Sequence, residues 1–185
     1  MREHRAENAA PAPWRVPVVV EDIAETGQHF DLAADDEVRA AIARLAGLRD
    51  LPRLQAAFEV TRHGGGLRVS GRVSASVGQT CVLTLEPLLN AVEEDVDLLF
   101  MPQSVAAQSA EDDAGALPVE GKWDDPEPLV GDLVDLGAIA TEFLILGIDP
   151  YPRKAGATFE PPQELRPEAG AFAALAGWTK GRNDG

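Results

Sequence analysis

Two segments near the middle of the chain alternate strictly between apolar and polar residues. In the first, one face carries the apolar residues Leu54, Ala56, Phe58 and Val60. In the second, one face carries Arg68, Ser70, Arg72, Ser74 and Ser76, and the other carries Leu67, Val69, Gly71, Val73, Ala75 and Val77. Successive side chains of a strand point to opposite faces, so this alternation predicts half-buried antiparallel strands. The glycine-rich residues 63–66 between the two segments predict a hairpin loop.

Further apolar runs extend the predicted sheet. Strands are predicted at residues 14–20, 30–32, 79–87 and 91–100. A helix is predicted to begin at Asp35, and a second, largely buried helix covers about residues 135–146 and ends at Gly147. The predicted fold class is α+β. It comprises an antiparallel curled sheet of about five strands, or a small partly open barrel, with a helix after the second strand and a buried late helix.

Composition predicts the limits of the folded part. Residues 1–13 mix charge, alanine and proline and predict a flexible leader. Residues 103–128 are rich in alanine, serine, proline and acid and predict a mobile acidic loop. A short helix is predicted near residues 172–179. The chain therefore reads as a single domain over residues 14–179, followed by a disordered tail at residues 180–185.

The acidic residues are concentrated in one part of the chain. The net charge is −15, from 31 acidic and 16 basic residues among 185. The stretch from Glu86 to Asp149 holds 16 acidic residues and a single base, Lys122, so it accounts for the whole excess. Such a field attracts basic partners and repels polyanions. The alternative is a solvated acidic surface that only keeps the protein soluble.

The sequence lacks the motifs that several classes of function require. The histidines (His4, His29 and His63) lie in no catalytic or ligand pattern, the acidic clusters lack the spacing of a calcium loop, and Cys81 is predicted to be a buried structural cysteine. We therefore expect no enzyme activity, no cofactor and no metal. No apolar run is long enough for a membrane span. A single cysteine excludes an internal disulfide, and a reducing cytoplasm is the simplest location.

The order of motifs in the second half of the chain resembles the YceD family. The run with Cys81 is followed by an acidic strand ending in Phe100-Met101-Pro102, an acidic loop, and a helix that starts with Asp135-Leu136 and contains Glu142-Phe143-Leu144-Ile145-Leu146. A proline-containing turn and Phe172-Ala173-Ala174-Leu175 come last. This arrangement is similar to the large ribosomal RNA subunit accumulation proteins of bacteria and plastids, and the likeness extends from Trp14 to about Trp178.

The resemblance implies a non-enzymatic factor that supports accumulation of large-subunit ribosomal RNA. Many relatives place two cysteines two residues apart at the first motif, with further cysteines after the late helix. This chain has Thr84 at the partner position of Cys81, and residues 151–159 contain no cysteine. If relatives bind zinc there, this chain cannot do so with the same ligands.

Charge and family resemblance together suggest where a partner binds. The expected partner is a basic ribosomal protein or a large-subunit assembly factor, with ribosomal RNA contacted indirectly. The predicted electrostatic attractor is formed by Glu93, Asp95, Asp97 and the loop at residues 103–128. Further contacts are expected from the turn containing Asp149, Tyr151 and Arg153 and from the late residues Phe172 and Trp178. Alternatively, Phe172 and Trp178 dock onto the protein's own sheet.

Two other functions remain open from the sequence. The first is direct RNA binding by the basic residues Arg62, Arg68, Arg72, Arg153 and Lys154. Such binding weakens steeply with salt. The second is an enzyme with an unrecognised site. The oligomeric state is open as well.

Overall fold

A five-stranded sheet is the centre of the molecule. The computed structural model describes residues 12–102, 126–129 and 131–158. The sheet has the order β2-β3-β4-β5-β6, and its strands are β2 (Gln28–Ala33), β3 (Asp50–His63), β4 (Gly66–Thr80), β5 (Pro87–Pro102) and β6 (Glu127–Leu129). A small antiparallel sheet pairs β1 (Pro17–Val19) with β7 (Leu133–Asp135). The helices are a short 3-10 turn (Val20–Asp22), α1 (Asp36–Leu45) and α2 (Leu136–Gly147).

The sheet is mixed, and it is not a barrel. Strands β2 to β5 pair antiparallel, whereas β6 runs parallel to β5, with Phe100 opposite Glu127. The expectation of a purely antiparallel sheet is therefore wrong at β6. A parallel neighbour needs a long connection, which residues 103–126 provide. The sheet is also not closed into a barrel, because within the described residues β2 and the three-residue β6 are its two edges.

The β3–β4 hairpin follows the alternation in the sequence. Its apolar residues face inward: Leu54, Phe58, Val60, Leu67, Val69, Val73 and Val77 are all buried, and none is more than 1% exposed. The predicted inward faces are thus confirmed. The strands are joined at Gly64 and Gly65, with φ of +52° and +85°. Positive φ at both central residues is what a two-residue hairpin turn requires, so glycine suits both positions.

The predicted strand at residues 79–87 is wrong beyond Thr80. β4 ends there, β5 begins at Pro87, and a turn joins them. The Cys81 N–H donates to the Glu86 carbonyl at 2.8 Å, and the Leu85 N–H donates to the Cys81 carbonyl at 3.0 Å. Leu85 has a φ of +59°, the left-handed conformation that ordinary residues adopt only at a cost. Alternation over so short a run did not distinguish this turn from a strand.

Both helices begin at an aspartate cap. In α1, Asp35 accepts a hydrogen bond from the Val38 N–H at 2.8 Å. In α2, Asp135 Oδ1 accepts from the Gly137 and Ala138 N–H groups at 3.1 and 3.2 Å. The same oxygen accepts from the Val16 N–H at 2.8 Å, which ties the segment before β1 to the start of the helix.

The late helix is buried on one side only. Leu136, Ile139, Ala140 and Leu144 are buried in the core, whereas Leu146 is 72% exposed and Ile145 is 39% exposed. The prediction of a largely buried helix therefore holds only for part of its surface. A helix that rests on a sheet buries only the stripe that faces the sheet. Of the residues described, neither helix is long and apolar enough to cross a membrane.

Several predicted segments lie outside the described residues. These are most of the leader, the bulk of the acidic loop (103–125), the short helix near residues 172–179 and the tail at residues 180–185. At the end of the predicted loop, Glu127 and Pro128 belong to β6. The limits of the single domain at residues 14–179 remain a prediction.

Candidate functional site

The solvent face of the sheet, here called the outer face, brings together the predicted acidic and basic sites. On β4 and β5, Arg72 is directly opposite Asp95, and Asp97 is opposite Ser70. Arg72 Nε lies 2.7 Å from Asp95 Oδ1. Arg68 Nε and Nη2 each lie 2.9 Å from an oxygen of Asp97. Two of the residues predicted to bind a basic partner, Asp95 and Asp97, therefore pair with two arginines of the RNA-binding hypothesis.

These ion pairs set the electrostatics of the outer face. Hydrogen bonds from Arg72 and Arg68 lower the pKa of the Asp95 and Asp97 carboxyls. The same contacts raise the pKa of both guanidinium groups, and the charge of Glu93 adds to the effect at Arg72. Exposed pairs of this kind contribute little to the stability of a fold, because solvent screens the attraction between their charges. Their main consequence is that Arg68 and Arg72 present little net positive charge to a polyanion.

Arg62 does not share the outer face. Its Nε donates to the Ile23 carbonyl and its Nη2 donates to the Glu21 carbonyl, both at 2.6 Å. The RNA-binding hypothesis groups Arg62 with Arg68 and Arg72, but the Arg62 side chain instead ties the end of β3 to the backbone of the 3-10 turn and its C-cap. This role has no signature in the spacing of the arginines.

His29 takes part in a second charged cluster that the sequence did not indicate. On β2 it lies opposite Glu59 of β3. Its Nδ1 is 2.6 Å from Glu59 Oε1, and its Nε2 is 3.2 Å from Asp31 Oδ1. Hydrogen bonds to these two carboxylates, first Glu59 and then Asp31, raise the pKa of His29. The signal was present only in the pairing of two strands, which a scan for local motifs does not use.

Cys81 is buried, as predicted, but it lies in the turn between β4 and β5 and not in a strand. Its sulfur accepts the Lys154 N–H at 3.3 Å and the Thr84 N–H at 3.5 Å. A hydrogen bond from the Thr84 side chain, followed by the two backbone donors, lowers the pKa of Cys81 to about 6, although burial opposes the shift. The donors stabilise the thiolate, which is the form that accepts hydrogen bonds most strongly.

The residues around Cys81 do not fit a zinc site. Zinc in a structural site takes four ligands from Cys, His, Asp or Glu. In the part of the chain that the structure describes, no three such side chains come together as ligands. The position of a second cysteine is held by Thr84, which donates to the sulfur, and the segment after α2 contributes a backbone N–H from Lys154.

Thr84→Val is expected to raise the pKa of Cys81 from about 6 toward the ordinary value of 9.0, because it removes the largest cause of the shift and keeps the side-chain shape. Thiolate ultraviolet absorbance, titrated against a Cys81→Ser blank, measures it. The pKa of Cys81 in the folded state lies below its ordinary value, so the free energy of unfolding rises with pH between about 6 and 9.0. The stability that the thiolate contributes is lost as the pH falls through about 6.

Thr80→Val is the matched control for this titration, since Thr80 is an exposed residue at the end of β4. It is expected to leave the titration of Cys81 unchanged. A parent protein whose thiol titrates near 9.0 would contradict the assignment of the Thr84 and Lys154 donors.

The turn containing Asp149, Tyr151 and Arg153 packs against the Cys81 turn. Gln79 Nε2 donates to the Asp149 carbonyl at 2.8 Å, and the Val82 N–H donates to the Pro152 carbonyl at 2.9 Å. Lys154 Nζ lies 3.0 Å from both oxygens of Glu86 and lowers the pKa of that carboxyl.

Exposed apolar residues surround this junction. Tyr151 is 70% exposed, and two residues of the Cys81 turn that the sequence did not single out, Leu85 and Val82, are 75% and 44% exposed. We call Val82, Leu85 and Tyr151 the end patch. Arg153 is exposed next to it. Large apolar side chains left in solvent, one of them held in a costly backbone conformation, are typical of a contact surface.

The predicted site residues thus fall on separate surfaces. Glu93, Asp95 and Asp97 line the outer face along β5, whereas Asp149, Tyr151 and Arg153 adjoin the turn that precedes β5. Phe172 and Trp178 lie outside the described residues.

Comparison with known proteins gives one match. The model of the family described as "Large ribosomal RNA subunit accumulation protein YceD" matches residues 69–171, which is more than half of the chain. The matched range begins within β4 and continues past α2. No curated protein and no solved structure gives a significant match.

Proposed function

The chain belongs to the YceD family of large ribosomal RNA subunit accumulation proteins, and from that premise we propose that it acts by binding a basic protein. The family's name implies a role in accumulation of large-subunit ribosomal RNA. In this proposal the protein is a non-enzymatic, cytoplasmic factor that holds a basic ribosomal protein or an assembly factor of the large subunit.

The observation that carries the proposal is the pairing of Arg68 and Arg72 with Asp97 and Asp95. The pairs occupy both arginines of β4, while the stretch from Glu86 to Asp149 keeps its large acidic excess. Affinity for nucleic acid depends on basic groups that neutralise phosphates. A surface of this charge favours a basic polypeptide instead, since it speeds the encounter with partners of opposite sign.

The end patch supplies the apolar contacts that charge alone does not provide. Long-range attraction raises the association rate, but residence on a surface depends on apolar anchors that lose their water on binding. Tyr151 is a side chain of the kind that often dominates interfaces, and Leu85 extends the apolar area. In the proposal, the acids of the outer face steer the partner and the end patch holds it, with Asp149 and Arg153 as polar neighbours.

Direct RNA binding is the competing function, and two variants separate the alternatives. Asp95→Asn with Asp97→Asn removes the two carboxylates of these pairs, whereas Arg68→Gln with Arg72→Gln removes their two guanidinium groups. The first double variant is expected to retain less basic protein, by about twofold to fivefold for each carboxylate, and the second to retain as much or more. RNA binding predicts the opposite order.

The measurement is affinity capture of the tagged full chain from its own cells, with nuclease treatment before elution and quantitative mass spectrometry afterwards. In a deletion strain, the ratio of large- to small-subunit ribosomal RNA is expected to fall. Each variant is then returned to that strain, and the same ratio is measured. If everything captured disappears with nuclease, RNA holds the complex and the proposed partner class is wrong. A normal ribosomal RNA ratio in the deletion strain contradicts the cellular role.

A further inference from the structure

An apolar groove runs between the two helices on the side of α2 that the sheet does not cover. Its volume is about 450 Å³, and its walls include Ala41 and Leu45 of α1 and Ala138, Ile145 and Leu146 of α2. Leu45 and Leu146 are 63% and 72% exposed. We call this surface the helix groove. Among the described residues that line it, Glu142 is the only one with an ionisable side chain.

From this groove we propose that the chain's own residues 171–178 dock between α1 and α2. The segment reads Ala-Phe-Ala-Ala-Leu-Ala-Gly-Trp and contains no charged residue. In the helix predicted near residues 172–179, Phe172, Leu175 and Trp178 recur every third residue, which keeps them on one side. Three large apolar side chains in a row match a groove whose walls are almost entirely apolar.

The chain leaves the described part close enough for this contact. Pro152 and Lys154 are bound to the turn after β4, through the Val82 N–H and the sulfur of Cys81. The segment after α1 also reaches the end of β4, because the Arg49 N–H donates to the Gly78 carbonyl at 2.8 Å. The linker at residues 159–170 can span about 40 Å. Because α2 is only about 18 Å long, the segment can reach any part of the groove.

Charge and connectivity favour this occupant over a separate partner. Lys180 and Arg182 follow the apolar segment directly, and Glu142 borders the groove. A tethered segment also acts at an effective concentration on the order of millimolar. The contact uses a surface other than the outer face and the end patch, and it assigns Phe172 and Trp178 to the chain's own groove instead of the partner contact expected from the sequence.

The test uses the fluorescence of Trp178 in the full chain. A Trp178→Phe variant provides the spectrum to subtract, because Trp14 is buried in the core and Trp123 also contributes. Trp178 is expected to be shielded from acrylamide. Leu146→Asp, or Leu45→Asp on the opposite wall, is expected to shift the docked-to-free ratio of the segment by about tenfold. Both leucines are exposed in the described structure, so neither change removes a core contact.

Leu89→Asp is the matched control, since Leu89 is 68% exposed and does not line the groove. The proposal is overturned if Trp178 of the parent protein is quenched as freely as a small indole compound. The proposal is also overturned if Trp178 stays shielded in both groove variants, or if Leu89→Asp removes the shielding as much as they do. In either case the segment lies elsewhere. Shielding that appears only with dimers in sedimentation assigns the groove to a second copy and rejects docking within one chain.

Discussion

Phe58→Ala is expected to lower the free energy of unfolding by about 3–5 kcal/mol, because it removes a fully buried aromatic ring from the core. Phe58 is fully buried at the centre of the sheet, on β3, opposite Phe30 of β2 and Gly71 of β4. Gly71 has no side chain to move into the space that the ring leaves. A Cβ added there would lie 2.0 Å from the Ala57 carbonyl oxygen, so the two backbones are already in close contact.

Denaturant unfolding followed by circular dichroism measures this loss. Leu89→Ala is the control, because Leu89 is an exposed residue of β5 and its replacement is expected to change stability by no more than about 0.5 kcal/mol. A loss below about 1 kcal/mol for Phe58→Ala would mean that the ring is not part of a packed core.

Asp135→Ala is expected to lower the free energy of unfolding by about 1.5–5 kcal/mol, more than the loss of an ordinary helix cap. Loss of the cap of α2 accounts for about 0.5–2 kcal/mol. The Val16 N–H, which also donates to this carboxylate, is left without its acceptor at a further cost of about 1–3 kcal/mol. The Leu136 N–H donates to the Val16 carbonyl at 3.0 Å, so the change also loosens the contact between the residues before β1 and α2.

Asp35→Ala supplies the comparison. Asp35 caps α1 through one hydrogen bond to the Val38 N–H, so its loss is expected to cost about 1 kcal/mol. Thermal and denaturant unfolding of both variants gives the difference directly. Equal losses at the two positions would contradict the double role of Asp135.

The sequence predicted which residues face the core more successfully than it predicted where the chain turns. Alternation along β3 and β4 is a local property, and burial of Leu54, Phe58 and Val73 follows it. The turn at residues 81–86 depends on distant contacts, because the sulfur of Cys81 is held partly by the N–H of Lys154. A short apolar run carries no trace of that contact. The same holds for β6, whose partner β5 precedes it by a long connection.

The sequence indicated which residues of the candidate site are exposed and charged, but it did not indicate how they pair. Arg68 and Arg72 on one strand, and Asp95 and Asp97 on the next, were each recognised as exposed and charged. Their mutual pairing depends on register, and the register depends on the turn that was read as a strand. The exposure of Leu85 and the hydrogen bonds of Arg62 to backbone carbonyls were missed for the same reason, since both arise from tertiary structure.

The long unpaired side of β5 has a consequence for solubility. In the described part of the chain, β6 pairs with β5 only from Phe100 to Pro102, so the strand from Pro87 to Leu99 is an open edge. An open edge is a template on which another chain can add a strand and begin aggregation. Prolines stand at both ends of β5, and Glu93, Asp95 and Asp97 recur along it. Charged side chains and prolines along an edge hinder the addition of a further strand, so the acids that define the outer face also help to keep the molecules apart.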